Sequence, residues 1–194
     1  MLFRSQPEPM ALGYVKGSEP YIDLKDNLNK LITCLRPWST SNLEYGVFEK
    51  TPYFKEGKLI GHCTLRIGNQ WPEINYMFKK ETWGKGFATE AVKAFMGFWW
   101  GLPRSSSKLK VHPSSVDLPE NPSNPTTFGP GNSIPKVREQ VIATIEIGNV
   151  ASKKVLLKAG FESIEGMSKE LIYFRKVLPF ENPQFYRDIY FNKE

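Results

Sequence analysis

The sequence predicts an α/β fold in which a mostly antiparallel sheet is flanked by helices. Residues 73–79 alternate apolar and polar side chains and are followed by a glycine-bearing turn and an amphipathic helix that runs to residue 101. A second strand–helix unit covers residues 141–160. Two earlier runs, residues 43–50 and 58–66, have strand character and predict an antiparallel meander with residues 73–79.

Length and composition indicate one domain covering residues 1–194. The chain has 194 residues, of which 40% are hydrophobic and 24% charged, values typical of a soluble globular protein. The net charge of +6 favours anionic partners, either phosphate-bearing ligands or nucleic acid. The basic residues are spread along the chain without a long block, so we expect no nucleic-acid partner.

Cysteine content and hydropathy exclude several other classes. Cys34 and Cys63 are too few and too far apart for a disulfide framework, which favours a reducing compartment and predicts a cytoplasmic protein. His62 and His112 form no recognisable ligand set with them, so no metal site is expected. No apolar run reaches membrane-spanning length, and the N-terminus lacks a hydrophobic signal core.

The N-terminal segment contains one predicted helix over residues 18–36. It ends at Arg36 because the residue before Pro37 avoids helical geometry. The strands at residues 43–50 and 58–66 follow, joined by a turn-rich connection over residues 51–57.

The glycine-bearing turn between residues 79 and 87 is the first candidate for a binding site. Gly84 and Gly86 allow a tight turn close to a ligand, and the helix that follows offers unpaired N–H groups to a phosphate. The P-loop sequence is absent. The dinucleotide fingerprint is only half present, since Thr89 takes the place of its last glycine. An ordinary strand–turn–helix remains the alternative.

Residues 102–137 differ in character from the rest. They hold seven of the 15 prolines together with many serines and asparagines. This composition predicts a mobile loop insertion without a core of its own, either a lid over a binding site or a plain surface loop. The aromatic-rich tail over residues 179–194 has no clear assignment and is interpreted as a closing segment.

The second strand–helix unit is predicted from its capping residues. Residues 141–147 are a β-branched strand, Asn149 is a suitable helix N-cap, and Gly160 has the place of a C′ glycine with Phe161 as its hydrophobic contact. Residues 171–178 predict the last strand.

Two stretches carry a family resemblance. EINYMFKKETWGKGFATEAV resembles motif A of the GNAT N-acetyltransferase superfamily in its RimJ/RimL-like branch, with Trp83 standing where Gln or Arg is usual. NVASKKVLLKAGF resembles motif B and follows in the correct order. FRSQPEPM, residues 3–10, resembles the first helix of the branch, so the first family strand is expected to be missing.

The resemblance implies a GNAT-like mixed, mostly antiparallel twisted sheet whose fourth and fifth strands splay apart to admit acetyl-CoA. Carried onto this chain, the splay lies near Tyr76, Met77 and Phe78, with the N–H of Met77 or Phe78 facing the acetyl carbonyl. Lys153 and Lys154 are candidates for the 3′-phosphate of CoA. The expected cofactor-binding residues are Met77, Phe78, Trp83, Gly84, Lys85, Gly86, Phe87, Ala88, Thr89 and Asn149.

The resemblance also suggests catalytic residues. Glu73 is the candidate general base, the alternative being a solvated or salt-bridged carboxylate, and Glu146 is a second candidate. Leu156 occupies the position of the tyrosine that serves as general acid in many members, so it cannot take that role. Ser152 is the candidate near the sulfur, or else a serine that caps its helix.

The predicted function is direct transfer of an acetyl group from acetyl-CoA to a primary amine, either a small molecule or a peptide N-terminus, by a monomer or homodimer. The alternative is a non-catalytic acyl-CoA-binding module. A nucleic-acid-associated protein is a third hypothesis, based on charge alone.

Overall fold

The computed structural model of the protein describes residues 42–52, 56–104, 107–116, 136–164, 168, 170–178 and 186–191. The helix predicted over residues 18–36, the resemblance at residues 3–10 and the expected loss of the first family strand lie outside these residues. No helix of the described ranges is long and apolar enough to cross a membrane.

The described chain forms nine strands and two α-helices. In chain order these are β1 (Asn42–Lys50), β2 (Glu56–Arg66), β3 (Glu73–Phe78), α1 (Phe87–Gly101), β4 (Lys108–Val111), β5 (Lys136–Arg138), β6 (Gln140–Glu146), α2 (Val150–Lys158), β7 (Glu162–Ile164), β8 (Leu171–Val177) and β9 (Tyr186–Phe191). Short 3₁₀ turns occupy Lys80–Thr82 and Pro113–Ser115.

The large sheet has six strands in the order β1-β2-β3-β6-β8-β7. β1, β2 and β3 form the predicted antiparallel meander, with Cys63 of β2 opposite both Tyr45 of β1 and Tyr76 of β3. β6 pairs antiparallel with β8 along its whole length. The contact between β3 and β6 is the one parallel pairing of this sheet among the described strands. The predicted mixed, mostly antiparallel sheet is confirmed.

Both helices begin and end close to the residues that their sequences predict. The Asn149 side-chain oxygen accepts a hydrogen bond from the Ser152 N–H at 3.0 Å, which caps α2. Gly160 has a φ of +83°, the left-handed conformation of a C′ glycine, and the Phe161 N–H donates to the Leu156 oxygen. The predicted caps of this helix are confirmed.

The main core lies between the large sheet and the two helices. Phe174, Leu65, Ile74 and Val92 are almost completely buried in it. Fully burying an apolar side chain of this size contributes about 1.5–3 kcal/mol each, so this cluster holds the helices against the sheet.

The prediction of a coreless loop over residues 102–137 is wrong for part of that segment. β4 lies within it and β5 begins at its end, and both strands form a three-stranded sheet with β9, in the order β4-β9-β5. Leu109 and Val111 of β4 are 5% and 2% exposed and pack with Ile189 and Trp71 in a second, small core. β4 pairs with a strand of the C-terminal tail, where Leu109 is aligned with Ile189. Because these residues are far apart in the sequence, no local pattern predicts the pairing.

A buried charged cluster ties this small sheet to the main one. The Glu139 carboxylate, which is 2% exposed, accepts hydrogen bonds from Arg104 Nε at 3.1 Å and from Arg187 Nη2 at 2.5 Å. Arg104 also donates to the main-chain oxygens of Trp99 and Leu102, at the end of α1. The cluster therefore joins β9, the β5–β6 connection and α1.

Candidate active site

The large sheet opens between β3 and β6. Their register contains one residue pair, Glu73 with Ile142, and the Ile142 N–H donates to the Pro72 oxygen at 2.9 Å. Beyond this pair the described residues of the two strands make no further ladder, so β3 and β6 diverge toward their C-terminal ends. The splay expected near residues 76–78 is present.

The parity of the strands decides which main-chain groups face this gap. The Lys79 N–H donates to Ile60 of β2 at 2.9 Å, and in an antiparallel ladder such bonded pairs alternate. Met77 therefore directs its N–H and C=O toward β2, whereas Tyr76 and Phe78 direct theirs into the gap. Of the two N–H groups that the sequence left open for an acyl carbonyl, only that of Phe78 faces the gap.

A cavity of about 390 Å³ lies between the end of β3, the glycine turn and α2. We call it the turn cavity. Its lining residues are Tyr76, Met77, Phe78, Thr82, Trp83, Gly84, Gly86, Phe87, Ala88, Thr89, Asn149, Ala151, Ser152, Lys154, Val155 and Lys158.

The glycine turn presents main-chain groups to the turn cavity. Gly84 and Gly86 have φ values of +75° and +87°, and a Cβ at either position would meet no atom within 4 Å. Their conformation, rather than lack of space, is what requires glycine there. Gly86 is the N-cap of α1 and no side chain caps the helix, so the first-turn N–H groups at the cavity wall remain available to an anion.

Trp83 has a contact that its position in the sequence does not predict. Its indole Nε1 donates a hydrogen bond to the Phe78 main-chain oxygen at 2.9 Å. The Trp83 N–H donates to the Lys80 oxygen, and the Thr82 hydroxyl donates to the Lys79 oxygen at 2.6 Å. The segment between β3 and the glycine turn is thereby folded back on the end of the strand.

Charge in the turn cavity is positive among the described side chains that line it. Lys154 and Lys158 of α2 belong to the lining, and no Asp or Glu does. Lys153 and Lys85, both proposed from the sequence as ligand contacts, are not lining residues. The cavity thus combines two ammonium groups with helix N-terminal N–H donors, a combination suited to phosphate groups.

A second cavity, of about 860 Å³, is lined by residues of β3, β6 and α2. We call it the acidic cleft because Glu73, Glu146 and Glu170 line it, with Arg66 as its one basic lining residue in the described ranges. Arg66 Nη1 lies 3.7 Å from Glu73 Oε2. Because three carboxylates and one guanidinium group line the cleft, its charge is negative and suits a cationic ligand. Both general-base candidates, Glu73 and Glu146, lie in it.

The two cavities share three lining residues, Tyr76, Asn149 and Ser152. The Tyr76 hydroxyl donates to the Ser152 main-chain oxygen at 3.2 Å, which joins β3 to the first turn of α2 across the gap. Since the Asn149 side chain caps α2 through the Ser152 N–H, the Ser152 hydroxyl is not the N-cap. Leu156, where the resemblance would place a tyrosine, is fully buried.

Burial shifts the acidity of two groups beside the gap. Desolvation raises the pKa of the Tyr76 hydroxyl, with a smaller opposing effect from the Ser152 side chain. Burial also raises the pKa of the Cys63 thiol, from 9.0 to about 12. Cys63 is a buried free thiol opposite Tyr76 in the β2–β3 ladder. Both groups are therefore protonated at neutral pH, and Cys63 is not activated as a nucleophile.

No set of three or more His, Cys, Asp or Glu side chains in the described residues is arranged to hold a metal ion. Of the proposed catalytic pair, Glu73 lies in the acidic cleft and Ser152 lies where that cleft meets the turn cavity. The sequence did not point to Glu170 and Arg66 of the acidic cleft or to Lys158 and Thr82 of the turn cavity. These four residues are recognised as part of the site only because the fold brings them next to the two cavities.

Comparison with known families gives one match. The sequence matches the family described as acetyltransferase (GNAT) domain over residues 1–162, which is more than half of the chain. No curated protein matches the sequence.

Solved structures share the fold at low sequence identity. A domain from Methanocaldococcus jannaschii has a TM-score of 0.57 at 13% identity, covering 91% of this chain and 88% of that chain. A GNAT-family acetyltransferase from Bacillus anthracis has a TM-score of 0.56 at 18% identity, covering 90% and 84%. Spermidine N-acetyltransferase from Vibrio cholerae, solved with CoA and spermine, has a TM-score of 0.55 at 13% identity, covering 90% and 85%.

Proposed function

This chain belongs to the acetyltransferase (GNAT) domain family and is an acetyl-CoA-dependent N-acetyltransferase, and we propose that it transfers the acetyl group directly to a primary amine. One observation carries the proposal. A cationic cavity rich in N–H donors and an acidic cleft meet at a gap in the sheet, and they share Tyr76, Asn149 and Ser152. The first suits the phosphates of CoA, and the second suits an amine that arrives as an ammonium ion.

In this proposal acetyl-CoA occupies the turn cavity. The N–H groups of the turn at Gly84 and Gly86 and of the first turn of α1 receive the diphosphate. Lys154 and Lys158 lie where phosphate charge requires neutralising. The pantetheine arm runs along the gap-facing edge of β3, which directs the thioester carbonyl toward the junction of the two cavities. The further residues assigned to this site are Met77, Phe78, Trp83, Phe87, Ala88, Thr89 and Asn149, whereas Lys85 does not line the cavity and is left out of the assignment.

The reaction requires one proton acceptor and one proton donor. The neutral amine nitrogen attacks the thioester carbonyl carbon, the C–S bond breaks, and its electron pair leaves with sulfur. Glu73 lies in the acidic cleft, 3.7 Å from Arg66, and takes the proton that the amine loses, directly or through water. The Ser152 hydroxyl, at the junction, donates a hydrogen bond to the leaving thiolate.

The acceptor is proposed to be a small amine or a peptide N-terminus. The three carboxylates of the acidic cleft favour a molecule with more than one positive charge, such as a polyamine or a basic peptide. The fold neighbour that was solved with spermine agrees with the first of these. The sequences at Trp83–Gly86 and Asn149–Ser152 support the RimJ/RimL-like branch, and the free Cys63 thiol supports a cytoplasmic enzyme, as a monomer or homodimer.

Two measurements test the proposal. Titration calorimetry with acetyl-CoA should give a saturable single site, and Gly86→Glu should abolish it by placing a carboxylate where the diphosphate binds. Gly97→Glu, at an open position on α1 where a Cβ meets nothing within 4 Å, is the matched control and should bind normally. Equal affinity of both variants would overturn the turn assignment.

Release of free CoA thiol should then be measured with a panel of amines containing spermidine, single amino acids and short peptides. Glu73→Gln should lower kcat by at least about 100-fold, the usual contribution of a general base, whereas Glu146→Gln should act mainly on the KM of the amine. A larger loss of kcat in Glu146→Gln than in Glu73→Gln would instead assign the general base to Glu146. Binding of acetyl-CoA without turnover of any amine would favour the alternative, a non-catalytic acyl-CoA-binding module.

A further inference from the structure

The indole of Trp83 makes a directed contact at the mouth of the turn cavity. Its Nε1 donates to the Phe78 oxygen at 2.9 Å, while its ring lines the cavity and is 38% exposed. By contrast, the buried Nε1 atoms of Trp99 and Trp100 have no hydrogen-bond partner in the part of the chain that the structure describes. The indole of Trp71 donates to the Ser115 hydroxyl at 3.0 Å, so among the described indoles Trp83 differs in donating to a main-chain oxygen at the end of β3.

The carbonyl that accepts this bond is one of the few that face the gap. Strand parity directs the main-chain groups of Tyr76 and Phe78 away from β2 and toward the space where β6 has diverged. With the Phe78 oxygen taken by the indole, the groups left for an extended ligand on this edge are the Tyr76 N–H, the Tyr76 C=O and the Phe78 N–H. The last main-chain group that this edge of β3 offers to a ligand is therefore a hydrogen-bond donor, the Phe78 N–H.

The same bond sets the position of the glycine turn. Gly84 and Gly86 can adopt a wide range of backbone conformations, so they do not by themselves fix the distance between the turn and β3. Trp83, the residue before Gly84, is held against the end of β3 by the Lys80–Thr82 turn and by its own indole hydrogen bond to Phe78. The N–H groups of the turn are consequently placed relative to the Phe78 N–H.

We infer that Trp83 is a positioning residue which acts through its side chain, by reserving the last gap-facing carbonyl of β3 and by holding the phosphate-binding turn in register with that strand. The inference rests on the proposed function. It assigns a role to the side chain at the place where the resemblance to motif A is weakest. It also fixes where a thioester arm stops pairing with β3 and where its diphosphate begins.

Trp83→Phe tests this inference because phenylalanine keeps an aromatic ring at the cavity wall and removes the N–H donor together with the smaller ring of the indole. Two thioesters should be compared, acetyl-CoA and S-acetyl-pantetheine, which lacks the diphosphate and the nucleotide. For acetyl-CoA we expect KM to rise about three- to tenfold, the range given by the net contribution of one hydrogen bond, with kcat unchanged. For S-acetyl-pantetheine we expect no change in KM.

Trp100→Phe is the matched control, since it removes an indole N–H that bonds nothing among the described residues. Whatever it does to stability, it should leave the ratio of the two KM values as in the wild type. A merely structural role of Trp83 would instead raise both KM values together or lower kcat for both thioesters, and either result would overturn the inference. Unchanged KM values for both would overturn it as well.

A measurement on the wild-type protein covers the case in which Trp83→Phe fails to fold. In ¹⁵N NMR spectra the Trp83 indole N–H should exchange with solvent more slowly than a free, solvent-exposed indole, with and without CoA. Fast exchange would overturn the inference. If wild-type protein binds no acetyl-CoA in the calorimeter, the proposed function fails and this inference fails with it. If wild-type protein binds acetyl-CoA normally but Trp83→Phe changes the KM values of the two thioesters equally or not at all, the inference about Trp83 fails while the proposed function stands.

Discussion

The Tyr76 hydroxyl donates a hydrogen bond to the Ser152 main-chain oxygen, and the two oxygen atoms are 3.2 Å apart. Tyr76 belongs to β3 and Ser152 to the first turn of α2, so the bond joins the two walls of the gap at the point where the turn cavity and the acidic cleft meet. Because burial raises the pKa of Tyr76, its hydroxyl stays a donor throughout the physiological pH range.

Removal of this hydroxyl should affect catalysis more than stability. Tyr76→Phe is expected to lower the free energy of unfolding by about 1 kcal/mol, the net value of one hydrogen bond. It should lower kcat/KM by about tenfold, because Ser152 loses a contact that fixes it at the junction. Tyr45→Phe, at a 44% exposed tyrosine that packs edge-on against Phe98, is the control. Equal activity of the two variants would contradict the role of the bond.

Gly86 should be intolerant of a side chain for a backbone reason. A Cβ at this position has open space but a φ of +87°, so Gly86→Ala should strain the turn by about 1–2 kcal/mol. We expect the Kd for acetyl-CoA to rise about tenfold, measured by calorimetry. Gly97→Ala, also in open space but inside α1, should instead raise the free energy of unfolding by about 0.5–1 kcal/mol and leave the Kd unchanged.

Gly61 should be important for stability and for acetyl-CoA binding because the Phe78 ring leaves no room for a side chain at this position. It lies opposite Phe78, and a Cβ at Gly61 would overlap the Phe78 ring. Gly61→Ala should therefore reduce the free energy of unfolding by about 1–3 kcal/mol and weaken acetyl-CoA binding, because the displaced ring lines the turn cavity. Gly68→Ala, where a Cβ meets nothing within 4 Å, should change neither quantity in urea titrations and calorimetry.

The buried ion pairs of Glu139 with Arg104 and Arg187 predict a large loss of stability on removal of this carboxylate. Glu139→Gln removes the carboxylate that both buried guanidinium groups contact and should cost about 3–5 kcal/mol in urea unfolding. Glu162→Gln removes the carboxylate from an exposed pair with Arg175 and should cost at most about 1 kcal/mol. Similar values for the two variants would contradict the structural importance of the buried cluster.

The Cys63 thiol should make the protein less stable at alkaline pH. Its pKa is 9.0 when exposed and about 12 in the fold, so above pH 9 the unfolded chain loses a proton that the folded chain keeps. The contribution of Cys63 to the free energy of unfolding should therefore be constant below about pH 8 and fall as the pH rises from 9 toward 12, by about 4 kcal/mol in all. The raised pKa of Tyr76 adds a fall in the same direction.

Urea titrations at pH 8, 9, 10 and 11 measure this dependence. Cys63→Ala should show a shallower slope between pH 9 and pH 11 even though it starts from a lower stability at pH 8. Parallel slopes for the variant and the wild type would assign the alkaline loss to other groups.

Local patterns were sufficient to predict the elements around the gap. The alternation in residues 73–79, the Asn149 cap and the left-handed Gly160 each depend on a few neighbouring residues, and the structure contains all three. The small sheet was missed because Leu109 is paired with Ile189, far away in the sequence, and because β4 has only four residues among prolines and serines.

The candidate site was predictable only in part for a similar reason. The glycine turn is a contiguous motif, whereas the bonds from Tyr76 to Ser152 and from Trp83 to Phe78 depend on which face each residue of β3 presents. That parity is set by the pairing of Lys79 with Ile60. The sequence contains the alternation of β3 but not the position at which β2 meets it, so it left Met77 and Phe78 equivalent.

The divergence of β3 from β6 gives this protein a strand edge in the middle of its sheet instead of only at the rim. Such an edge accepts any extended backbone, including a segment of another molecule of the same chain, by β-augmentation. We therefore expect a thioester arm bound at this edge to hinder self-association, so that concentrated stocks prepared with CoA should remain monodisperse longer than stocks prepared without it.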